Sequence, residues 1–235
     1  MDFVKVREEV QYGPKATYIL LGINLIIFLI ASFLKIFFGF SSLDVAELLG
    51  GSSLYFILNG QFWRFLLSCF VHLDILHLVL NMSALYYYGR FIERFYSTKK
   101  ILIIYTLSGI SGTVFALLNI NTIVIGASGA IWGFIGVMVG NSVRSNTYSP
   151  GLPIDIKSIL PGTMTWLVIG FMLPGVSGLG HLGGFIGGFI LGLIFDTVNT
   201  FRQSQLEQTL TKILYIVSLV IFALSFLGLF AFWLL

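Results

Sequence analysis

Apolar residues form long runs along this chain, and polar residues gather in the short segments between them. A helix needs roughly 17 to 25 mostly apolar residues to cross the hydrocarbon core of a bilayer. Runs of this kind occur at residues 18–39, 77–95, 101–119, 127–142, 159–174, 179–196 and 213–235. The pattern therefore predicts an all-α polytopic membrane protein with seven spans.

The first six spans form a predicted core over residues 18–196. The sequence also predicts a cytoplasmic arm at residues 1–17, a cytoplasmic linker at residues 197–212 and an accessory seventh span at residues 213–235. The long connection at residues 40–76 is rich in aromatic and apolar residues. Because aromatic residues favour the headgroup region of a bilayer, we expect a structured loop here, partly embedded in the outer leaflet.

The composition excludes a soluble globular domain. Hydrophobic residues make up 57% of the chain and charged residues only 10%, whereas soluble domains carry about 25% charged residues. The net charge of +3 comes from scattered basic residues, which does not indicate binding to nucleic acid. The charged first 17 residues predict no cleavable signal peptide, so we expect the first span to be retained.

Basic residues also predict the orientation in the membrane. If the N-terminus is cytoplasmic, only Lys35 and Arg64 of the 13 Lys and Arg residues fall outside. Such a bias towards the inside is typical of cytoplasmic loops. We therefore expect a multi-pass protein of the cell membrane with its N-terminus inside.

A serine between glycines opens the fourth predicted span, in the sequence Gly126-Ala127-Ser128-Gly129. Glycines let another backbone approach closely, and a helix start offers the positive end of the helix dipole. A nucleophile would be well placed here. The alternative is that Gly129 and Gly133, four residues apart, only permit close helix packing.

Three more polar residues lie in apolar spans. His77 and Asn81 are four residues apart and share one helix face, and His181 opens the sixth span amid glycines at every fourth position from 180 to 192. Ionisable groups in a membrane are costly and mark function. The second, fourth and sixth spans run in the same direction, so these side chains and Ser128 should lie at a similar depth near the outer face. The alternative is that each only bonds a neighbouring helix.

This set could carry out acyl transfer. Ser128 would be the nucleophile and His181 the general base. Asn81 and His77 would join the Ser128 N–H as donors to the oxyanion. The spans place no carboxylate near His181, so we expect a dyad of Ser128 and His181. Trp132 would either stack on the imidazole or serve as an ordinary packing aromatic. Three histidines and one cysteine give no matched metal site, and no cofactor is implied.

Taken together, these motifs resemble the rhomboid family of intramembrane serine proteases. The resemblance covers residues 18–196. It is carried by Trp63-Arg64, the run His72-x4-His77-x3-Asn81-Met82, Gly89-Arg90-x2-Glu93-Arg94, Gly126-Ala127-Ser128-Gly129, and Gly180-His181-x2-Gly184-x3-Gly188.

The resemblance implies a six-helix core that cleaves transmembrane protein substrates within the lipid bilayer, near their outer ends, through a site open to the outer face. It implies a Ser128 and His181 dyad, with Asn81 and His77 at the oxyanion hole. The remaining matched positions would support or hold the structure: Trp132, His72, Gly126 and Gly129 near the site, and Trp63, Arg64, Glu93, Gly184 and Gly188 as structural residues. The seventh span resembles the form of the family with one helix added after the core.

Two positions depart from the family pattern. Trp132 stands where the family often has tyrosine, and Ser68 stands where a histidine can occur. An indole can still stack on His181, so we expect adjusted packing with activity retained.

Substrates would have to enter sideways from lipid, and the fifth span is the expected gate. Pro161-Gly162 and Pro174-Gly175 should break its helix near both ends and let it tilt. Two other functions compete with proteolysis. One is a catalytically silent rhomboid-like protein that binds and escorts transmembrane clients. The other is a transporter or channel with His77 and His181 in a proton path, which would require acidic partners that the outer parts of the spans lack.

Overall fold

A computed structural model of the chain describes residues 13–120, 122–148, 156–172, 175–197 and 204–234. These ranges contain ten α-helices and, after α4, one short 3-10 helix at Ser68–Phe70; they contain no strand beyond an isolated bridge between Ser52 and Val124. The all-α prediction is confirmed. The helices are α1 Lys15–Phe38, α2 Ser42–Leu49, α3 Leu54–Leu58, α4 Arg64–Leu67, α5 Ile75–Ile92, α6 Thr98–Ala116, α7 Ser128–Tyr148, α8 Ile156–Met172, α9 Gly178–Ile194 and α10 Gln205–Leu234.

Each of the seven predicted spans coincides with one long helix, in the order α1, α5, α6, α7, α8, α9 and α10. Two helices extend beyond the predicted spans. Helix α7 continues past residue 142 to Tyr148, and α10 begins before residue 213, at Gln205. Hydropathy misses these ends because they carry polar side chains, such as Arg144 of α7, which donates to the Ile194 carbonyl of α9 over 2.8 Å.

Length and apolarity alone single out fewer spans than seven. Among the described helices, α1 and α10 are long and apolar enough to cross a membrane, with hydropathies of 2.5 and 2.7. The segment Arg64–Phe70 and α5, bent by 98° relative to each other, could make a third if they form one broken span. Helices α8 and α9 have only 17 residues each. The number of spans therefore stays a prediction.

The structure corrects the interpretation of the first proline pair. Pro161 lies inside α8, which is a continuous helix, so the expected break at this position is wrong. Pro161 lacks one N–H and removes one hydrogen bond of the ladder, and the helix continues around it. Helix α8 ends at Met172, and Pro174 lies outside the described residues.

The middle of the bundle is built on glycine contacts between α7 and α9. Gly184 packs on the carbonyl group of Gly129, and Gly188 packs on that of Gly133. A Cβ atom at Gly184 or Gly188 would collide with these backbone oxygens. The two helices can approach this closely only because both faces lack side chains.

The loop between α1 and α5 is structured, because it contains α2, α3, α4 and the 3-10 helix. Its buried Arg64 donates to the carbonyl groups of Glu47 and Gly51, each over 2.8 Å, and to the Gln61 side chain over 2.6 Å. These bonds tie α2 and α4 together. The partial embedding of this loop in the outer leaflet stays a prediction.

Glu93 follows α5 and holds the start of α1. Its carboxylate accepts the backbone N–H groups of Ala16 and Thr17 over 2.9 and 3.0 Å, and the Thr17 hydroxyl over 2.8 Å. The first N–H groups of a helix have no acceptor within the helix, and a negative charge there is favourable. Glu93 thus joins α1 to α5 at one end of the bundle. We call the other end, where α5, α7 and α9 begin, the site end.

Candidate active site

Ser128 is the first residue of α7. Gly126 precedes it with a φ of 102°, a conformation that favours glycine, and its N–H donates to the Ser68 carbonyl over 2.9 Å. Two residues earlier, Val124 and Ser52 exchange backbone hydrogen bonds of 2.7 and 3.0 Å. The strand-like entry to α7 is therefore fixed by the loop, and the Ser128 N–H lies in the first turn, where helix N–H groups lack helix acceptors.

His181 lies in the first turns of α9. Ser177 caps this helix, because its hydroxyl accepts the Gly180 N–H over 3.0 Å and its carbonyl accepts the His181 N–H over 3.0 Å. The Gly180 carbonyl oxygen lies 3.5 Å from where a Cβ of Gly129 would be. Since Gly129 follows Ser128 and His181 follows Gly180, this contact brings the predicted nucleophile and base to the same level of the bundle.

Trp132 connects the two residues. Its ring centroid lies 5.4 Å from that of His181, with 30° between the ring planes. Trp132 stands one turn after Ser128 on α7, so both occupy one helix face. The imidazole therefore lies along the face of α7 that carries Ser128.

Packing, not hydrogen bonding, holds the imidazole. Its Nδ1 atom is buried and has no hydrogen-bond partner among the described residues. Gly170 of α8 faces it, because a Cβ there would lie 2.8 Å from Nδ1. Ser128 and His181 are both within the described part of the chain and share no hydrogen bond in this structure.

His77 and His72 lie on the other side of the Ser128 turn. Asp74 caps α5 by accepting the His77 N–H over 2.7 Å. The two imidazole centroids are 4.8 Å apart. A Cβ at Gly126 would lie 2.6 Å from His77 Nε2, and His72 Nε2 lies 3.5 Å from the Ala127 nitrogen. Both rings therefore contact the two residues that precede Ser128.

Asn81 is joined to this group through His77. Its Nδ2 donates to the His77 carbonyl over 2.9 Å, one turn back along α5, and the residue is only 6% exposed. An amide nitrogen carries two N–H bonds, so one remains after this contact. The structure thus places the four predicted polar residues at the site end, with Ser128 and His181 in one group and His77 and Asn81 in the next.

Sequence reasoning missed Gly170, Ser177 and the capping role of Asp74. Ser177 and Asp74 each stand directly before an apolar helix, which is a recognisable signal for an N-cap. Gly170 carries no such signal, because its importance comes from a side chain on another helix.

The fold and this polar group define an integral membrane protein built of helices, with a buried cluster suited to acyl transfer. A family model described as "Rhomboid domain" matches residues 59–197. The match covers more than half of the chain, and the chain belongs to the rhomboid family. The resemblance drawn from the motifs is confirmed.

Three relatives illustrate the range of the family. The chain is 28% identical to "Rhomboid protease GluP" of Bacillus subtilis over 177 residues, which cover 74% of this chain and 33% of the relative. It is 32% identical to "RHOMBOID-like protein 4" of Arabidopsis thaliana over 159 residues, which cover 66% of this chain and 40% of that relative. It is 34% identical to "Inactive RHOMBOID-like protein 8" of the same plant over 130 residues, which cover 54% of this chain and 36% of that relative.

The alignments cover only a third to two-fifths of the length of these three relatives. One relative is named a protease and another is named inactive. Family membership therefore does not by itself establish catalysis.

Proposed function

We propose that this protein is an intramembrane serine endopeptidase that hydrolyses peptide bonds in or near transmembrane segments of membrane proteins. One observation carries the proposal. The glycine contact between α7 and α9 sets Ser128 and His181 at one level, and the Trp132 ring lies against the imidazole. A nucleophile, a base and a group that orients the base are the parts that covalent acyl transfer requires.

In the proposed reaction the Ser128 oxygen attacks the carbonyl carbon of the scissile bond while His181 accepts the hydroxyl proton. The C–N bond then breaks, and His181 returns the proton to the leaving amine. Water hydrolyses the acyl-serine, with His181 as base again, and releases the carboxylic acid. Because Ser128 and His181 share no hydrogen bond here, the bond between them has to form when substrate binds, and such bonds often tighten only in the complex.

The oxyanion of the tetrahedral intermediate needs donors. The Ser128 N–H at the helix start is one, and the second N–H of the Asn81 amide and the ring of His77 are the others. A preorganised donor of this kind contributes roughly 100-fold to 1000-fold in turnover. His72, beside the Ala127 nitrogen, is proposed to retain water near the mouth of the site.

Substrate is proposed to enter from lipid between α5 and α8. Helix α8 packs against α7 and α9, and the described residues show no comparable packing between α8 and α5. The substrates would be single-pass or multi-pass transmembrane proteins. We propose that the protein resides in the cell membrane, with its N-terminus cytoplasmic and the site end at the outer face. Cross-linking α5 to α8 should abolish cleavage of a membrane substrate, and undiminished cleavage would exclude this entry route.

A second candidate is a catalytically silent protein that binds transmembrane clients. Two observations favour it: Ser128 and His181 share no hydrogen bond, and one relative is named inactive.

The two candidates are distinguished by cleavage of a panel of single-span substrates in liposomes. The unmodified chain is compared with Ser128→Ala and His181→Ala. Proteolysis predicts cleavage by the unmodified chain and its loss in both variants. If the unmodified chain binds these segments without cutting them, and both variants bind equally well, the client-binding function replaces the protease.

A further inference from the structure

Helix α10 was predicted only as an accessory span, yet it runs along the whole bundle. It has 30 residues, which corresponds to about 45 Å at 1.5 Å per residue. It packs against α6 and against α4 of the loop. Its two ends make specific polar contacts with segments that lead to Ser128 and His181.

At the end opposite the site, Glu207 in the first turn of α10 is 5% exposed and forms an ion pair with Lys100 of α6. Glu207 Oε1 also accepts the Asp196 N–H over 2.9 Å, and Lys100 Nζ donates to the Asp196 carbonyl over 2.6 Å. Asp196 lies just beyond the end of α9. The start of α10 therefore holds the end of the helix that carries His181.

The same contact extends to α7. Arg144 of α7 forms an ion pair of 2.6 Å with the Asp196 carboxylate and donates to the Ile194 carbonyl over 2.8 Å. Because α7 and α9 are packed backbone to backbone, a displacement of Asp196 would move both helices. Loss of the Glu207 charge would leave the buried Lys100 ammonium uncompensated, which is costly.

At the site end, α10 holds the loop. Trp233 Nε1 donates to the Leu48 carbonyl over 2.8 Å. Gly228 lies directly under the Trp63 indole, since a Cβ there would be 2.7 Å from Trp63 Cδ2. The Phe232 ring centroid is 5.3 Å from the guanidinium carbon of Arg64. Helix α10 thus contacts α2 and α4 on either side of the loop.

These loop contacts continue to the start of α7. Arg64 holds the Gly51 carbonyl, and the next residue, Ser52, forms the backbone bridge with Val124. Val124 and Gly126 lead directly into Ser128. Two contacts of Arg64, with Phe232 and with the Gly51 carbonyl, and one backbone bridge therefore connect α10 to the entry to the candidate nucleophile.

We propose that α10 is a positioning helix, with Glu207 fixing the His181 helix from one end and Gly228 and Trp233 fixing the Ser128 entry segment from the other. The effect on turnover rests on the proposed protease function. The structural effect does not, and it can be measured separately.

The test at the site end is Gly228→Leu, which drives a side chain into the Trp63 indole. The matched control is Ala231→Leu, which adds similar bulk at an exposed position of the same helix. Hydrogen exchange is measured on the full chain in detergent. Gly228→Leu should raise the exchange rates of residues 48–52 and 122–127, and Ala231→Leu should leave them unchanged. Unchanged exchange in both variants would overturn the proposal.

The test at the opposite end is Glu207→Gln, with Thr209→Ala as the control, because Thr209 is an exposed polar residue in the same turn. Exchange should rise at residues 194–197 only in Glu207→Gln. In the cleavage assay, Glu207→Gln and Gly228→Leu should each lower kcat about tenfold with KM changed less than about twofold, since a misplaced catalytic group costs rate.

A failure of the proposed protease function can be distinguished from a failure of the proposed role of α10. If the unmodified chain cleaves nothing, the protease function fails, and the exchange results still decide whether α10 fixes these segments. If exchange rises as stated while kcat stays unchanged in a chain that cleaves, α10 does not position the dyad.

Discussion

Gly170 of α8 offers the sharpest test of how His181 is held. A Cβ at this position would lie 2.8 Å from His181 Nδ1 and 3.5 Å from Cε1. Ordinary contacts of a Cβ begin at 3.4 Å, so Gly170→Ala creates an overlap of about 0.6 Å with Nδ1. The methyl group has to push either α8 or the imidazole away.

The expected effect follows from this distance. Overpacking of this size costs roughly 1 to 3 kcal/mol, and a displacement of about 1 Å at a catalytic group costs up to about 100-fold in rate. For an overlap of about half that size we expect kcat to fall about tenfold, which corresponds to about 1.4 kcal/mol. KM should change little, because the imidazole takes part in the chemical step.

The assay measures kcat and KM for one transmembrane substrate, together with the histidine resonances of the labelled protein. The chain has only three histidines, so the His181 signal can be assigned by its loss in His181→Ala. The control is Gly162→Ala, in the same helix and with nothing within 4 Å of its Cβ position. If Gly170→Ala and Gly162→Ala give the same kcat and the same His181 resonance, Gly170 does not hold the imidazole.

Two further predictions concern the surroundings of Ser128. Gly126→Ala should lower Tm and abolish activity, because φ is 102° and the new Cβ would lie 2.6 Å from His77 Nε2. The control is Gly39→Ala, where φ is 69° and the Cβ position is open. This variant has the backbone strain without the clash and should retain activity in the cleavage assay. Trp132→Ala should lower kcat about tenfold by freeing the His181 ring, whereas Trp132→Tyr, which keeps an aromatic ring, should stay within about threefold. Equal kcat values for the two Trp132 variants would show that ring contact is not needed.

The positions of the long helices could be predicted from apolar runs, because a helix buried in lipid or in the bundle needs apolar side chains along most of its length. Their ends could not. Helix α7 continues past residue 142 with Arg144, which bonds the Ile194 carbonyl of α9, and α10 begins before residue 213 with Glu207 in its first turn, which bonds Lys100 of α6. A polar residue in such a place looks like the end of a span until its partner on another helix is known.

The candidate site was accessible to sequence reasoning for a different reason. Ser128, His77, Asn81 and His181 stand out because polar residues are rare in apolar spans, and the glycines beside them show where backbones meet. Gly170 and the contacts of α10 could not be predicted in this way. Gly170, Gly228 and Trp233 look like ordinary lipid-facing positions in the sequence, and Glu207 looks like part of a polar linker. Only the tertiary structure shows which residues they contact.

Covalent labelling can show whether Ser128 is a nucleophile activated by His181. The full chain in detergent is treated with a fluorophosphonate, which reacts with activated serines, and the labelled peptide is identified by mass spectrometry. We expect one labelled residue, Ser128, and loss of labelling in His181→Ala with the fold retained. An unlabelled Ser128, or equal labelling of Ser128 in His181→Ala, would contradict this mechanism.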